Sequence, residues 1–298
     1  MSDRIKTPVV LALGYFDSVH KGHQKVIKTA RRLAREKGAK LVVATFGGNL
    51  KALVLGVDEK VVYTAFEREK LYRSLGVDQV YFAPTDKEFL SMSGVEFLDM
   101  LNQKYDVLGY VSGEDYRFGK LGSCSVKDVQ AYAESKGQAC ITVALETLLG
   151  EKISTTLVKK KLADGDVKGA KQMLGRAYSV TGVVFEDRKV GKTIGFPTVN
   201  VKLDKRKHLL KDGVYFGHVE VFGKIHKAII NYGARPTFDL TEKLVEAHLL
   251  DFDGELYGME LTLYFDDFMR EIIKFDSKES LKKQLEKDLN IAKEKDYD

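Results

Sequence analysis

The chain has 298 residues, 44% hydrophobic and 31% charged, with 26 Gly and 4 Pro. That composition excludes collagen-like, low-complexity and largely disordered proteins, and the length is about twice that of an ordinary domain, so two domains are expected. Lys+Arg 48 against Asp+Glu 43 leaves a net charge of +5, a small surplus that suits a protein handling phosphate anions and does not by itself indicate nucleic acid.

No apolar run approaches the roughly 18–20 residues that span a bilayer. The early run Val9–Leu13 is too short for a secretory segment. The sequence therefore predicts a soluble, cytoplasmic protein with neither a membrane nor a nucleic-acid partner, and it leaves homo-oligomer formation open. Cys124 and Cys140 are too few for a disulfide framework or a metal cluster and read as buried or incidental thiols.

In chain order, Val9–Leu13 reads as a buried parallel strand. After a turn containing Gly and His, Val26, Ile27, Ala30, Leu33 and Ala34 recur at helical spacing until Gly38 stops them. Leu41–Phe46 is strand-like. Thr64 with Glu67, and Ser93 with Glu96, form capping boxes that open amphipathic helices. Val107–Ser112 is a strand, Val126–Lys136 a helix closed by Gly137, and Ala139–Leu145 a further strand. This alternation predicts an α/β fold with a parallel sheet covered on both faces, whose ligands sit where strand ends lead into helix N-termini.

Near Gly175 the pattern changes. Tyr178–Phe185, Val214–Phe222, Lys227–Asn231, Leu244–Leu250 and Glu260–Phe265 are short β-rich stretches that predict a small antiparallel barrel. A terminal amphipathic helix carries Leu281, Leu285 and Leu289 on one stripe and is expected to pack on that barrel. The junction is expected within 165–178, dividing 1–172 from 173–298.

The first chemical constellation is Gly14-Tyr15-Phe16-Asp17-Ser18-Val19-His20-Lys21-Gly22-His23. Its glycines permit tight turns and close approach to phosphate. His20 and His23, three apart on an incipient helix, face the same way and can both donate to one anion beside the helix dipole. Such donors can stabilise charge on a nucleotide α-phosphate while another phosphate attacks it. On spacing alone, the same pair reads equally as incidental surface histidines or a metal pair. Ile153-Ser154-Thr155-Thr156-Leu157-Val158-Lys159 places hydroxyls at a helix start and a cation one turn in. It reads either as a plain N-cap or as a second anion grip.

In the back half, Gly191-Lys192-Thr193-Ile194-Gly195-Phe196-Pro197-Thr198-Val199-Asn200 combines a phosphate-suited loop with Thr198 and Asn200 on one strand face. Their oxygens suit Mg²⁺ bound jointly with nucleotide phosphates. Alternatively the segment is a glycine-rich hairpin whose Thr and Asn satisfy backbone groups.

These segments resemble a known family. Gly14–His23 is similar to the G-x-F-D-G-V-H-x-G-H signature of HxGH-class nucleotidyltransferases, and Ile153–Lys159 to an I-S-S-T-x-x-R motif. Gly113-Glu114-Asp115-Tyr116-Arg117-Phe118-Gly119 matches a block lining the flavin side of that site. Gly195–Val201 resembles G-F-P-T-A-N-[IV], Asp212–Tyr215 a P-G-V-Y turn, Asn231–Phe238 an N-x-G-x-R-P-T-F block, Glu246–Gly258 E-x-H-L-x-D-F-x-G-x-L-Y-G, and Phe268–Phe275 F-[IML]-R-x-E-x-K-F. Together they resemble the bacterial bifunctional riboflavin kinase/FMN adenylyltransferase (FAD synthetase) family over nearly the whole chain.

The resemblance implies an N-terminal Rossmann-like nucleotidyltransferase domain and a C-terminal riboflavin-kinase-like β-barrel. It implies ATP-dependent phosphorylation of riboflavin to FMN, then adenylylation of FMN to FAD with release of pyrophosphate. His20 and His23 would stabilise the adenylyl transfer. Gly14, Phe16, Asp17, Gly22, Asp115, Arg117, Ser154, Thr155, Thr156 and Lys159 would bind its substrates.

In the kinase half Glu246 would be the base, otherwise readable as an exposed acid on a strand edge. Thr198 and Asn200 would hold Mg²⁺. Gly191, Lys192, Gly195, Pro197, Gly213, Tyr215 and Arg270 would contact nucleotide or flavin. Three departures accompany the match. Ser18 stands where Gly is usual, Lys159 replaces an Arg and loses its bidentate fork, and Thr45–Leu50 lacks both prolines of a T-F-x-P-x-P-like segment. They also admit a kinase whose adenylyltransferase half is lost or weakened. A non-catalytic flavin- or nucleotide-binding regulator is the reading from another class.

Overall fold

Apolar periodicity builds the first half outward from its sheet. The computed structural model describes residues 7–48, 56, 60–186, 195–202, 204, 206–207, 210–235 and 240–295, and for 234–235 and 240–243 the backbone alone. The first elements are β1 (Pro8–Leu13), α1 (Lys21–Glu36), β2 (Lys40–Phe46), α2 (Ala65–Ser74), β3 (Gln79–Ala83), α3 (Lys87–Ser91), α4 (Gly94–Lys104) and β4 (Asp106–Gly113). A small hairpin of β5 (Arg117–Phe118) and β6 (Cys124–Ser125), then α5 (Val126–Ser135), β7 (Ala139–Val143) and a second hairpin of β8 (Thr147–Leu148) and β9 (Glu151–Lys152), complete this part.

β1, β2, β3, β4 and β7 form a five-stranded parallel sheet in the order β3-β2-β1-β4-β7. Because side chains alternate along a strand, β1 feeds two cores. Val10 and Ala12 pack under Val26, Ile27, Ala30, Leu33 and Ala34 of α1. Val9, Leu11 and Leu13 pack on the other face with Phe97, Leu98 and Leu101 of α4 and Val129 and Ala133 of α5. Both predicted capping boxes form, Thr64 with Glu67 on α2 and Ser93 with Glu96 on α4. The last strand stops at Val143 rather than Leu145, whose N–H is taken by Glu114 Oε1 at 2.9 Å.

The second half runs α6 (Thr155–Ala163), α7 (Val167–Leu174), β10 (Tyr178–Phe185), β11 (Val199–Lys202), β12 (Gly213–Val221), β13 (Lys224–Arg235), β14 (Leu240–Leu249), β15 (Glu260–Arg270) and α8 (Lys278–Glu294). Its strands close an antiparallel barrel in the order β10-β11-β14-β13-β12-β15. Inside, Phe265 meets the rings of Tyr178, Tyr215 and Tyr232, so the barrel is filled.

α8 packs on the barrel as expected, with Leu289 of the expected stripe joined by Ala292. Ala292 and Leu289 meet Val214, Phe216 and Ile229, and Asp288 is buried with them on the helix, while Leu281 and Leu285 stay partly exposed. The chain divides into compact units after Thr155, earlier than the expected 172/173 junction. α7 explains the difference, since its buried Val167, Ala170, Met173 and Leu174 belong to a helix packed on β10 and β15. Among the described residues no helix is long and apolar enough to cross a membrane. Cys124 and Cys140 are free.

Candidate functional site

In the first unit, the sheet order reverses between β1 and β4, so the loops that follow these two strands flank the crevice where open α/β sheets bind ligands. The loop after β1 carries Gly14–His20 into α1. Phe16 and Val19 adopt left-handed φ of 49° and 46°, a costly conformation for side chains of these types that the surroundings must hold. They do so by hydrogen bonds. Thr45 Oγ1 (2.7 Å) and Arg68 Nη1 (3.1 Å) donate to Tyr15 O. Tyr72 OH donates to Phe16 O at 3.2 Å, Gln24 Nε2 to Val19 O at 2.9 Å, and Val62 N to Asp17 Oδ1 at 3.1 Å.

Phe16 and Asp17 are only 2% and 1% exposed. Phe16 packs against His23 and Tyr72, and Asp17 accepts from the Val62 N–H. Burial pushes the Tyr72 phenol up to about 12, so it remains a donor through the neutral range.

His20 sits at the N-cap of α1 rather than within the helix. Its Nδ1 accepts from His23 N at 3.2 Å, which leaves Nε2 as the N–H of the neutral ring. The two imidazoles stack at 3.6 Å with their planes 15° apart. The first turn of α1 carries no acidic residue of its own, and the nearby Glu146 is paired with Lys25 at 2.8 Å.

Two glycines make this packing feasible. A Cβ on Gly14 would lie 2.5 Å from the Phe16 ring, and one on Gly22 3.1 Å from His20 Cε1. The second anion-type segment is joined to this loop, because Ser18 Oγ lies 3.0 Å from Thr155 Oγ1. Ser154 precedes α6, on which Thr156 and Lys159 follow. Asp115, in the loop after β4, pairs with Lys152 at 2.7 Å, and Arg117 is exposed on β5 opposite Ser125.

Sequence reasoning missed Arg68. Its guanidinium is fully buried and donates to Tyr15 O, to Phe46 O at 2.7 Å and to Gly47 O at 3.3 Å, tying the loops after β1 and β2 together. The Thr64 capping box locates its helix, but nothing in the periodicity marks this arginine as internal. Of the segment lacking prolines, 49–50 lie outside the described residues.

In the second unit, Val245 and Ala247 turn into the barrel while Glu246 and His248 of β14 turn outward. Asn200 of β11 and Asn231 of β13 stand directly opposite Glu246, so the three share one face of the wall. Thr198 Oγ1 donates to Glu246 Oε1 at 2.8 Å, and Asn200 is 7% exposed. One carboxylate, a hydroxyl and an amide oxygen are a hard-oxygen set that fits Mg²⁺ held jointly with phosphates.

His248, also missed, fixes the approach to Thr198. Its Nδ1 donates to Pro197 O at 2.8 Å and its ring meets Phe196 at 5.4 Å, just after Gly195 with φ of 86°. A cleft of about 310 Å³ opens beside His248, lined by Leu249, Phe252 and, from α8, Leu289 and Lys293.

Gly213 opens β12 opposite Tyr232. Two residues expected to contact ligand have protein partners here. Tyr215 is buried in the barrel, donating to Lys211 O at 2.6 Å. Arg270 is bidentate on Asp288 of α8, with Nε 3.1 Å from Oδ1 and Nη2 2.6 Å from Oδ2. Gly191, Lys192 and 236–238 of the Asn231–Phe238 block lie outside the described residues.

Comparison with known proteins gives two matched regions, with most of α6 and α7 lying between them. A family model described as FAD synthetase matches residues 2–157, and one described as riboflavin kinase matches 174–295. A protein of Listeria monocytogenes described as a bifunctional riboflavin kinase/FMN adenylyltransferase is 35% identical over 94% of this chain and 90% of its own length. One of Bacillus subtilis with the same description is 36% identical over 95% and 91%. A crystal structure described as a macrolide-efflux protein from Streptococcus pneumoniae is 31% identical, with a TM-score of 0.87 over 97% of this chain and 95% of that one.

Proposed function

The chain belongs to the bifunctional riboflavin kinase/FMN adenylyltransferase family, and from that premise we propose which residues carry each of its two reactions. The enzyme phosphorylates riboflavin to FMN with ATP and then joins FMN to the adenylyl group of a second ATP, giving FAD and pyrophosphate. The observation that carries the assignment is that each matched region holds its own polar centre, the stacked His20–His23 pair in one and Glu246 with Thr198 in the other.

In the kinase centre, Glu246 orients the riboflavin 5′-hydroxyl and accepts its proton as the oxygen bonds to the γ-phosphorus and ADP leaves. The Thr198 hydroxyl has one proton and two lone pairs, so it can donate to Glu246 and still offer an oxygen to a cation. Thr198 and Asn200 would hold Mg²⁺, which when bound would neutralise charge on the ATP phosphates. Gly195 and Pro197, just before Thr198, would contact those phosphates.

In the adenylyltransferase centre, an FMN phosphate oxygen attacks the α-phosphorus of ATP. His20, His23 and the N-terminus of α1 donate to the charge that builds there. Gly14 and Gly22 keep the approach open. Ser154, Thr155, Thr156 and Lys159 hold the β- and γ-phosphates of ATP, which leave as pyrophosphate, and Asp115 and Arg117 face the flavin.

The test is chromatography of products after incubation with riboflavin, ATP and Mg²⁺. Glu246→Gln is expected to abolish FMN formation and leave FAD formation from supplied FMN. His23→Ala is expected to do the reverse. Loss of both reactions in either folded variant would break the two-centre assignment.

A further inference from the structure

Ser18 and Thr155 are 137 positions apart, yet their hydroxyls meet at 3.0 Å. Ser18 is fully buried, and the residues on either side of it are fixed, Asp17 by the Val62 N–H and Val19 by the Gln24 side chain. The Ser18 hydroxyl is therefore presented by a rigid loop. Thr155 is the first residue of α6, directly after Ser154, in the segment read above as the grip on the leaving pyrophosphate.

We propose that Ser18 is a positioning residue for adenylyl transfer, its hydroxyl holding the Thr155 side chain so that the Ser154–Thr155 turn meets the ATP triphosphate in a fixed orientation. The proposal rests on the reading of Ile153–Lys159 as that grip. A Thr155 oxygen that accepts from Ser18 keeps its own proton free to donate to a phosphate oxygen, and donors linked in series polarise one another. The same contact ties the loop that carries His20 to the segment that carries Thr155, so the groups that act on the α-phosphate and those that hold the leaving phosphates share one frame. A Gly at this position could form no such tie.

Full-length protein, Ser18→Ala, Ser18→Gly, Thr155→Val, Thr155→Ser and the Ser18→Ala/Thr155→Val pair are compared in FAD formation from FMN and ATP. Riboflavin phosphorylation by the same preparations reports folded protein. Ser18→Ala and Ser18→Gly are each expected to raise KM for ATP about three- to tenfold, the worth of one hydrogen bond, with KM for FMN unchanged. Thr155→Val is expected to do at least as much, and Thr155→Ser, which keeps the hydroxyl, to stay close to the parent. The double variant is expected to be no worse than Thr155→Val, because both changes remove one interaction.

An unchanged KM for ATP in both Ser18 variants overturns the proposal. So do effects that multiply in the double variant, or a lowered thermal midpoint with KM intact. A parent protein that makes FMN and no FAD takes down the underlying reading, and the proposal with it.

Discussion

Gly22 sets how closely the His20 ring can settle over the start of α1. With a Cβ only 3.1 Å from Cε1 and 3.2 Å from Nδ1 of His20, alanine here would push that ring by a few tenths of an ångström. Gly22→Ala is therefore expected to lower FAD formation about tenfold through misaligned donors, with riboflavin phosphorylation retained. Two-substrate kinetics on one preparation checks this.

At the residue scale the motifs revealed identity but not direction. Phe16, Asp17, Tyr215 and Arg270 all sit in recognisable blocks, and all four side chains turn to protein partners. Facing is decided by which neighbour arrives in three dimensions. Asp288 lies 18 positions beyond Arg270, with no local pattern to connect them. The Ser18–Thr155 contact was invisible for the same reason.

Among the elements, α8 is held by charge as much as by apolar contact. The Asp288 side chain is 2% exposed against Arg270, and Gln284 Nε2 adds a bond to Oδ1 at 2.9 Å. Asp288→Asn leaves a largely buried guanidinium without its counter-ion and is expected to cost about 3 kcal/mol in the barrel unit. Urea denaturation measures that loss. Riboflavin phosphorylation should weaken alongside it, and FAD formation from supplied FMN should persist.

Elements whose signals are local were legible. The capping boxes of α2 and α4 and the helical spacing of α1 need only a few adjacent residues. β3 went unseen although Val80-Tyr81-Phe82-Ala83 is a short β-prone run; it is an edge strand with most of its residues only half buried. α7 went unseen because its segment reads as a junction. Its Asp166 cap and the left-handed Gly175 are the signals that could have found it.

For the whole molecule, the clearest pH dependence lies on the alkaline side. Burial pushes the Tyr72 and Tyr132 phenols up to about 12, with Asp99 adding to the latter, and raises Tyr110, Tyr116, Tyr215 and Tyr232 as well. The folded protein keeps these protons after the unfolded chain has released them near ~10. Stability is thus fully present below that pH and falls as pH rises toward about 12. The part of the tyrosinate absorbance that belongs to these six phenols is expected to rise together with loss of structure rather than ahead of it. Early titration of all phenols in folded protein would contradict this.

At this scale the two-part α/β and barrel architecture was readable because hydrophobic period changes from helical to alternating near Gly175. The division after Thr155 was not, since it depends on which partner α6 and α7 choose.

The aromatic plug of the barrel has one more consequence. Tyr178, Tyr215, Tyr232 and Phe265 fill the lumen, so the proposed kinase centre of Thr198, Asn200 and Glu246 has only the outside wall to occupy. Durability and reactivity are thereby written on opposite sides of the same strands. A library that varies the outward positions of β11, β13 and β14 can explore new acceptor alcohols while the inward half of each strand keeps the scaffold intact.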